Sequence, residues 1–312
     1  MERILVVQYY RYAAVPDVPA EVAAQRLLCE ELGVLGRIYV APEGINGTLA
    51  GAPEAVRQYE AHLDAHPLFG GIIWKRDTCD ELPFRKLTVK AKAEIVAFDP
   101  QKPLLDEQAA GPYVEPEAFQ KMLSQESSEV VILDARSRYE TELGRFKGAI
   151  SLDIENFREL PDRLEDLTPY RDKTIVTYCT GGVKCEKVSA WLKQEGFSDV
   201  RQLKGGILHY AEQTGGQDFE GRCYVFDDRV AIDVNQVNPK LLATCVRCGG
   251  PADRSINCAN EACHKRVSIC SRCAEAHAGT CSDACYEHPR RRPWDGTGRY
   301  ERGSLPLSFE SQ

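Results

Sequence analysis

The stretch Ile175-Val176-Thr177-Tyr178-Cys179-Thr180-Gly181-Gly182-Val183-Lys184-Cys185-Glu186-Lys187, followed at once by the helical run Val188 to Glu195, decides the fold of the middle of this chain. An apolar strand runs into a glycine-containing loop, and the loop runs into a helix. That junction sets Cys179 among backbone N–H groups that have no intrahelical partner. Those groups, the helix dipole and Lys184 all favour the thiolate, the reactive form of cysteine. Gly181 and Gly182 let the loop curl so that several N–H groups point at one centre. Free cysteine is often a buried packing residue, but packing requires neither a glycine pair nor a cation. Cys179 is therefore expected to be an ionised, accessible nucleophile, with Thr180, Gly181, Gly182, Val183 and Lys184 as its loop.

Working outward, Val130–Leu133, Ala149–Leu152 and Val200–Leu203 read as further strands, with helices between them and a helix over Glu117–Leu123. Strands separated by helices predict an open parallel sheet with helices on both faces. Such sheets bind ligands at the carboxyl ends of their strands, where Cys179 lies. Asp134 and Arg136 end another strand, either bracing the same loop or forming a local salt bridge. Cys185 could resolve an oxidised Cys179 as a disulfide, or fill the core on the first helical turn. His209, as a lone histidine on a short helix, reads as structural.

The six residues Cys179 to Lys184 resemble the active loop of rhodanese domains, which carry sulfur as a cysteine persulfide. Val130–Arg136 with Tyr139-Glu140 and Gly144–Ile150 is similar to the first signature block of that domain, and Val200–Ile207 to its closing strand and turn. The match covers roughly residues 112 to 219. The longer string Thr180 to Lys187 is narrower, and resembles the rhodanese-related tRNA uridine hydroxylases. Lys184 departs from the usual arginine; it keeps the charge and loses the planar fork.

A chain of 312 residues allows two or three domains. The hydrophobic share of 43% and charged share of 28% describe an ordinary folded protein rather than a disordered one. No apolar run is long enough to span a membrane, and the first residues do not read as a signal peptide, so a cytoplasmic location is expected. In a reducing compartment the 13 cysteines point to metal binding or catalysis rather than disulfides. Residues 239–312 carry eleven Lys and Arg against eight Asp and Glu, a charge of +3 against −11 for the rest of the total −8. A basic tail on an acidic body permits a local phosphate-binding surface.

Residues 1–97 alternate element types: strand Ile4–Tyr10, helix Pro19–Leu32 with apolar positions Val22, Leu27, Leu28 and Leu32, short strands Arg37–Val40 and Thr48–Ala50, helix Pro53–Ala65, and strands Ile72–Lys75 and Leu87–Val96. This order, β-α-β-β-α-β with a late extra strand, predicts a ferredoxin-like α+β sandwich; the resemblance implies an acylphosphatase-like domain. The loop read over residues 41–47 permits close backbone approach. Lys86, Thr88, Lys90 and Lys92 fall on one face of a strand, with Phe84 available to stack on a base. That stripe reads as RNA contact or as a solvated sheet edge. A linker is expected over residues 98–111, the rhodanese-like domain over 112–219, and a cysteine-rich region with a basic tail over 220–312.

In that last region Cys245-x2-Cys248, Cys258-x4-Cys263, Cys270-x2-Cys273 and Cys281-x3-Cys285 form four close pairs. Eight thiolates suit two closed tetrahedral zinc sites of structural type, an iron–sulfur cluster being the alternative. A segment this short has little core of its own, and metal binding supplies the missing free energy. An interleaved, cross-braced pairing is expected. Arg290-Arg291-Arg292, Trp294, Arg299, Tyr300 and Arg302 then interleave cations with aromatics, as phosphate and base contact requires.

The resemblance implies oxygen-dependent hydroxylation at carbon 5 of the tRNA wobble uridine, with tRNA bound through its anticodon region and no stable protein partner. No G-x-G-x-x-G fingerprint for a flavin or nicotinamide is present, nor an evident histidine pair with a carboxylate for non-haem iron. The chemistry is therefore expected to fall on Cys179. Plain sulfur transfer through a Cys179 persulfide is the alternative the loop itself allows.

Overall fold

In the computed structural model, residues 3–98, 109–125, 127–298 and 300 are described. The expected linker lies mostly outside them, as do Arg299 and Arg302.

The N-terminal unit comprises β1 (Ile4–Tyr12), α1 (Val18–Leu32), β2 (Leu35–Ala41), β3 (Gly44–Gly51), α2 (Pro53–Asp64), β4 (Lys75–Cys79) and β5 (Leu87–Ala91). Its sheet runs β4-β1-β3-β2-β5, antiparallel except for the β2–β5 edge pair. This is the expected sandwich with its extra strand. Residues 41–47 are not a loop, however. Ala41 pairs with Gly44 and Val40 with Ile45, so only Pro42 and Glu43 form the turn and Ile45, Asn46 and Gly47 lie inside β3. The glycines there serve close strand approach: a Cβ on Gly44 would stand 2.1 Å from the Arg11 carbonyl oxygen. Helix α1 also turns differently from its apolar spacing. Leu27 is 58% exposed, while Gln25 is buried and accepts from the Tyr59 hydroxyl at 2.5 Å.

Strand β1 is sandwiched on both faces. Leu5, Val7 and Tyr9 enter the unit's own core with Ile38, Leu49 and Tyr59. The alternate residues Gln8, Tyr10 and Tyr12 face the second unit, as a period of two requires; Tyr12 packs there with Val183 and Ala190.

The second unit comprises β6 (Tyr113–Val114), α3 (Pro116–Gln125), β7 (Val130–Asp134), α4 (Arg138–Thr141), β8 (Gly144–Phe146), β9 (Ile150–Ser151), α5 (Leu164–Leu167), β10 (Thr174–Tyr178), α6 (Val183–Gln194), β11 (Asp199–Leu203) and α7 (Gly206–Thr214). Its sheet, β6-β11-β10-β7-β9, is parallel throughout, and a separate core lies on each face. Strand β10 is central, so the loop after it opens at the middle of the sheet's carboxyl edge. Short ribbons follow: β12 (Phe219–Gly221) on β8, β13 (Cys223–Tyr224) with β14 (Ala231–Ile232), and β15 (Arg254–Asn257) with β16 (Arg266–Ile269). The chain then forms α8 (Ser271–Ala276) and α9 (Asp283–Tyr286). No helix among the described residues is long and apolar enough to cross a membrane.

Candidate active site and metal centres

Cys179 sits where β10 ends and α6 is about to begin. Its sulfur accepts from the Gly182 N–H at 3.1 Å. Burial pushes this thiol up, but the Cys185 thiol, the Lys184 charge and the N–H groups of Lys184 and Gly182 outweigh it and bring Cys179 down to about 6. Cys185 bears the converse shift: burial and the neighbouring Cys179 hold it well above the ordinary thiol range. Of the two thiols, Cys179 is thus the thiolate and Cys185 the proton donor. The expected ionisation is present, but open access is not: Cys179 is 1% exposed. The N-terminal sheet roofs the loop. A Cβ on Gly181 would lie 3.1 Å from the Gln8 side chain, and one on Gly182 would lie 3.0 Å from the Tyr10 hydroxyl.

The loop closes from below onto Gly206. Ile207 and Leu208 donate their N–H groups to the carbonyls of Cys179 and Thr180 at 3.0 and 3.1 Å. Gly206 has φ +67°, and a Cβ there would stand 2.4 Å from the Cys179 carbonyl oxygen and 2.8 Å from the Gly182 nitrogen. Gly206→Ala is expected to cost about 2–4 kcal/mol through left-handed backbone strain and overpacking. Its urea midpoint should fall, and the pH midpoint for Cys179 alkylation should rise as the loop N–H groups are displaced.

The auxiliary residues divide. Asp134 and Arg136 are both fully buried and meet in a two-pronged pair, Nε to Oδ1 at 2.9 Å and Nη2 to Oδ2 at 2.7 Å. Tyr178 donates its hydroxyl to the same carboxylate at 2.6 Å. The pair therefore fixes the residue before Cys179 rather than the loop itself. Lys184 is tied to the buried Glu140 carboxylate at 2.8 Å. His209 pairs with Glu212 on its own helix at 3.3 Å.

A cleft of about 810 Å³ opens beside the loop, walled on the loop side by Val183 and Lys184. The N-terminal unit contributes Arg37, Tyr39 and Lys92, the second unit Tyr139, Phe157 and Arg158, and the following segment Phe226. Lys92 lies 5.1 Å from the Tyr39 ring centroid. The volume is within the range of small-ligand sites, and aromatic faces with cations suit a nucleotide. Of the predicted RNA contacts, Lys92 lines this cleft, and Lys86 and Lys90 are exposed near it in sequence. Phe84 is corrected: it is 8% exposed, packed with Val6 and Ala50, and has no face left for a base. Arg292 is corrected too. At 3% exposure it donates to the Ala259 and Cys258 carbonyls and contacts His264, so it braces the cysteine-rich fold. Arg290 is exposed and paired with Glu261 at 2.9 Å; Arg291 is exposed against Tyr286.

The eight C-terminal cysteines gather as Cys245, Cys248, Cys270 and Cys273, and as Cys258, Cys263, Cys281 and Cys285, the sulfurs of each set lying within 4.8 Å of one another. This is the interleaved pairing. Sulfur separations of 3.9, 3.8 and 3.7 Å match the edge of about 3.8 Å that a tetrahedron with metal–sulfur bonds near 2.3 Å requires. The two sets can each hold a metal ion.

Residues 4–95 match the UPF0176 acylphosphatase like domain, residues 115–213 the rhodanese-like domain, and residues 220–286 the rhodanase C-terminal domain. The chain is 44% identical over 307 residues to the tRNA uridine(34) hydroxylase of Cytophaga hutchinsonii, covering 97% of this chain and 96% of that one. The chain belongs to the tRNA uridine(34) hydroxylase family. Relatives of the same name from Bacillus mycoides (43%; 92% of this chain, 90% of that one) and Enterococcus faecalis (40%; 92% and 91%) match nearly as far.

The string Cys185-Glu186-Lys187, which narrows the resemblance to these tRNA uridine hydroxylases, has a physical purpose here. Glu186 accepts from Tyr10 at 2.8 Å, Tyr113 at 2.6 Å and Gln202 at 2.7 Å. Lys187 reaches Glu43 at 2.8 Å and Glu94 at 2.6 Å. Both are buried, and leaving either charge without partners would cost several kcal/mol. The tRNA uridine hydroxylase chain thus locks its N-terminal sheet onto the helix that carries the active loop. Sequence reading missed Gln8, Tyr10 and Tyr12 as parts of this site; polar side chains at alternate positions of β1, facing away from Leu5, Val7 and Tyr9, were the available signal. Arg37, Tyr39, Phe157, Arg158 and Phe226 carried none, because they come together only in the cleft.

Proposed function

We propose that this chain hydroxylates carbon 5 of the uridine at position 34 of tRNA, consuming molecular oxygen, with Cys179 as nucleophile and two zinc ions held structurally in the cysteine-rich region. The observation that carries the reading is a cysteine lowered to about 6 beside a cleft sized and lined for a nucleotide. Membership of the tRNA uridine(34) hydroxylase family supports the substrate. Tyr39, Phe157 and Phe226 would take the base, and Arg37, Lys92 and Arg158 its phosphates, with Lys86, Lys90, Arg290 and Arg291 as outer contacts. Val183 and Lys184 are the groups a base would meet on its way to the sulfur.

The thiolate adds to carbon 6 of uracil, forming a carbon–sulfur bond and moving an electron pair towards carbon 5 and oxygen 4. Loop N–H groups and Lys184 stabilise that charge. Carbon 5 passes the pair to oxygen and, with a proton, becomes a hydroperoxide. An external dithiol reduces the oxygen–oxygen bond to a hydroxyl and water, becoming a disulfide. Loss of the carbon 5 proton then expels the Cys179 thiolate and restores the double bond.

Incubation in air with tRNA carrying 5-fluorouridine at position 34 tests this, since after oxygen adds, fluorine stands where the carbon 5 proton would be lost to expel the thiolate. Mass spectrometry should find a nucleotide adduct on Cys179. Absence of an adduct from enzyme that hydroxylates normal tRNA would remove the covalent step.

A further inference from the structure

Lys75 opens β4 and pairs in the sheet with Gln8 of β1. It is 3% exposed. A buried ammonium ordinarily has a carboxylate or several acceptors, because its desolvation costs several kcal/mol. Lys184 and Lys187 obey that rule. Lys75 makes no ion pair or hydrogen bond among the described residues. Its ammonium stands 4.5 Å from the ring centroid of Tyr10, the residue that roofs Gly182 and donates to Glu186. Cys179 and Glu186 raise Lys75 against the pull of burial.

We propose that Lys75 is a positioning residue for the reaction, contributed by the N-terminal sheet: through Tyr10, which roofs Gly182, it sets a second cation over the Cys179 loop from the opposite domain, so that docking of the sheet onto the loop completes the nucleophile. The proposal rests on Cys179 being that nucleophile. Burial lowers Lys75, and Cys179 and Glu186 partly restore it, leaving it at about 8. The Cys179 thiolate forms as pH rises through about 6, and the Lys75 charge is lost as pH rises through about 8. The two coexist between those values. Around the sulfur, Cys185, Tyr10 and Tyr12 are all held far above this window by burial. Across the small cavity beside Lys75 stand Glu212, Arg76 with its partner Glu60, Arg229 bound to Asp77 and Asp227, and Asp233 bound to Arg222.

The test is the pH dependence of iodoacetamide alkylation in the full-length, zinc-loaded protein, read on the tryptic peptide Thr174–Lys184, which contains no other cysteine. Lys75→Met should raise the midpoint by about one pH unit, making alkylation roughly fivefold slower at pH 6, while Lys75→Arg should stay near the wild-type midpoint. In the wild type, 5-hydroxyuridine formation should rise through about 6, and in Lys75→Met that rise should move up by the same pH unit. An unmoved midpoint in Lys75→Met, or an equal rise in Lys75→Arg, overturns the role of Lys75. An ordinary thiol midpoint in the wild type, with hydroxylation surviving in Cys179→Ala, instead overturns the underlying reading of Cys179.

Discussion

Cys179→Ala is expected to reduce 5-hydroxyuridine in tRNA by about a thousandfold or more, leaving the fold in place. The side chain is small and its loss leaves little cavity, whereas removing a nucleophile from a covalent pathway typically costs several orders of magnitude. Nucleoside mass spectrometry of tRNA from cells carrying the variant in place of the wild type reads this directly. Cys185 does not substitute: burial alone holds its thiol above the ordinary range. Retention of more than a few per cent of the modification would place the chemistry elsewhere. The same nucleoside assay run alongside thiocyanate release from thiosulfate separates hydroxylation from sulfur transfer.

Removal of zinc is expected to unfold the cysteine-rich region while the parallel sheet survives. Its described apolar contribution is modest, with Ala252, Ile256, Ile269 and Ala274 joining residues of the preceding segment. Two sets of four cysteines lie within it, each able to hold a metal ion. Structural zinc contributes about 10–16 kcal/mol in small modules, comparable with or above the whole stability of a typical domain, about 5–15 kcal/mol. Chelation should therefore expose residues 245–298 to protease. Cys273→Ser should lower the zinc content from two ions to about one, because the cross-braced pairing leaves the other set intact. Unchanged protease resistance after chelation would sink this account, and iron with visible absorbance in the purified protein would replace zinc by a cluster.

The local parts of the site were legible because their signals are local. The Cys179 loop announces itself by a strand, two glycines and a cation in sequence, and the structure places the Gly182 N–H on the sulfur. The four cysteine pairs announce a ligand count, and geometry supplied the partition. Errors arose where burial decided. Phe84 and Arg292 looked like surface groups for RNA, yet one fills a core and the other braces carbonyls beneath the cysteine-rich module. Nothing near either residue in the chain distinguishes these outcomes. Leu27 fitted a helical stripe and points to solvent, because Gln25 is drawn inward by a hydroxyl on α2.

By itself the sequence determined the order of elements, the parallel sheet, the candidate nucleophile and the eight cysteines able to hold metal, all of which follow from periodicity and short-range spacing. The tertiary structure alone decided what surrounds the sulfur. Gln8 and Tyr10 lie more than a hundred residues before Cys179 in the chain, and they reach its loop because Glu186 and Lys187, being charged and buried, must find partners on the opposite domain. Charge desolvation, which has no signature in local sequence, is what turns two separate units into one site.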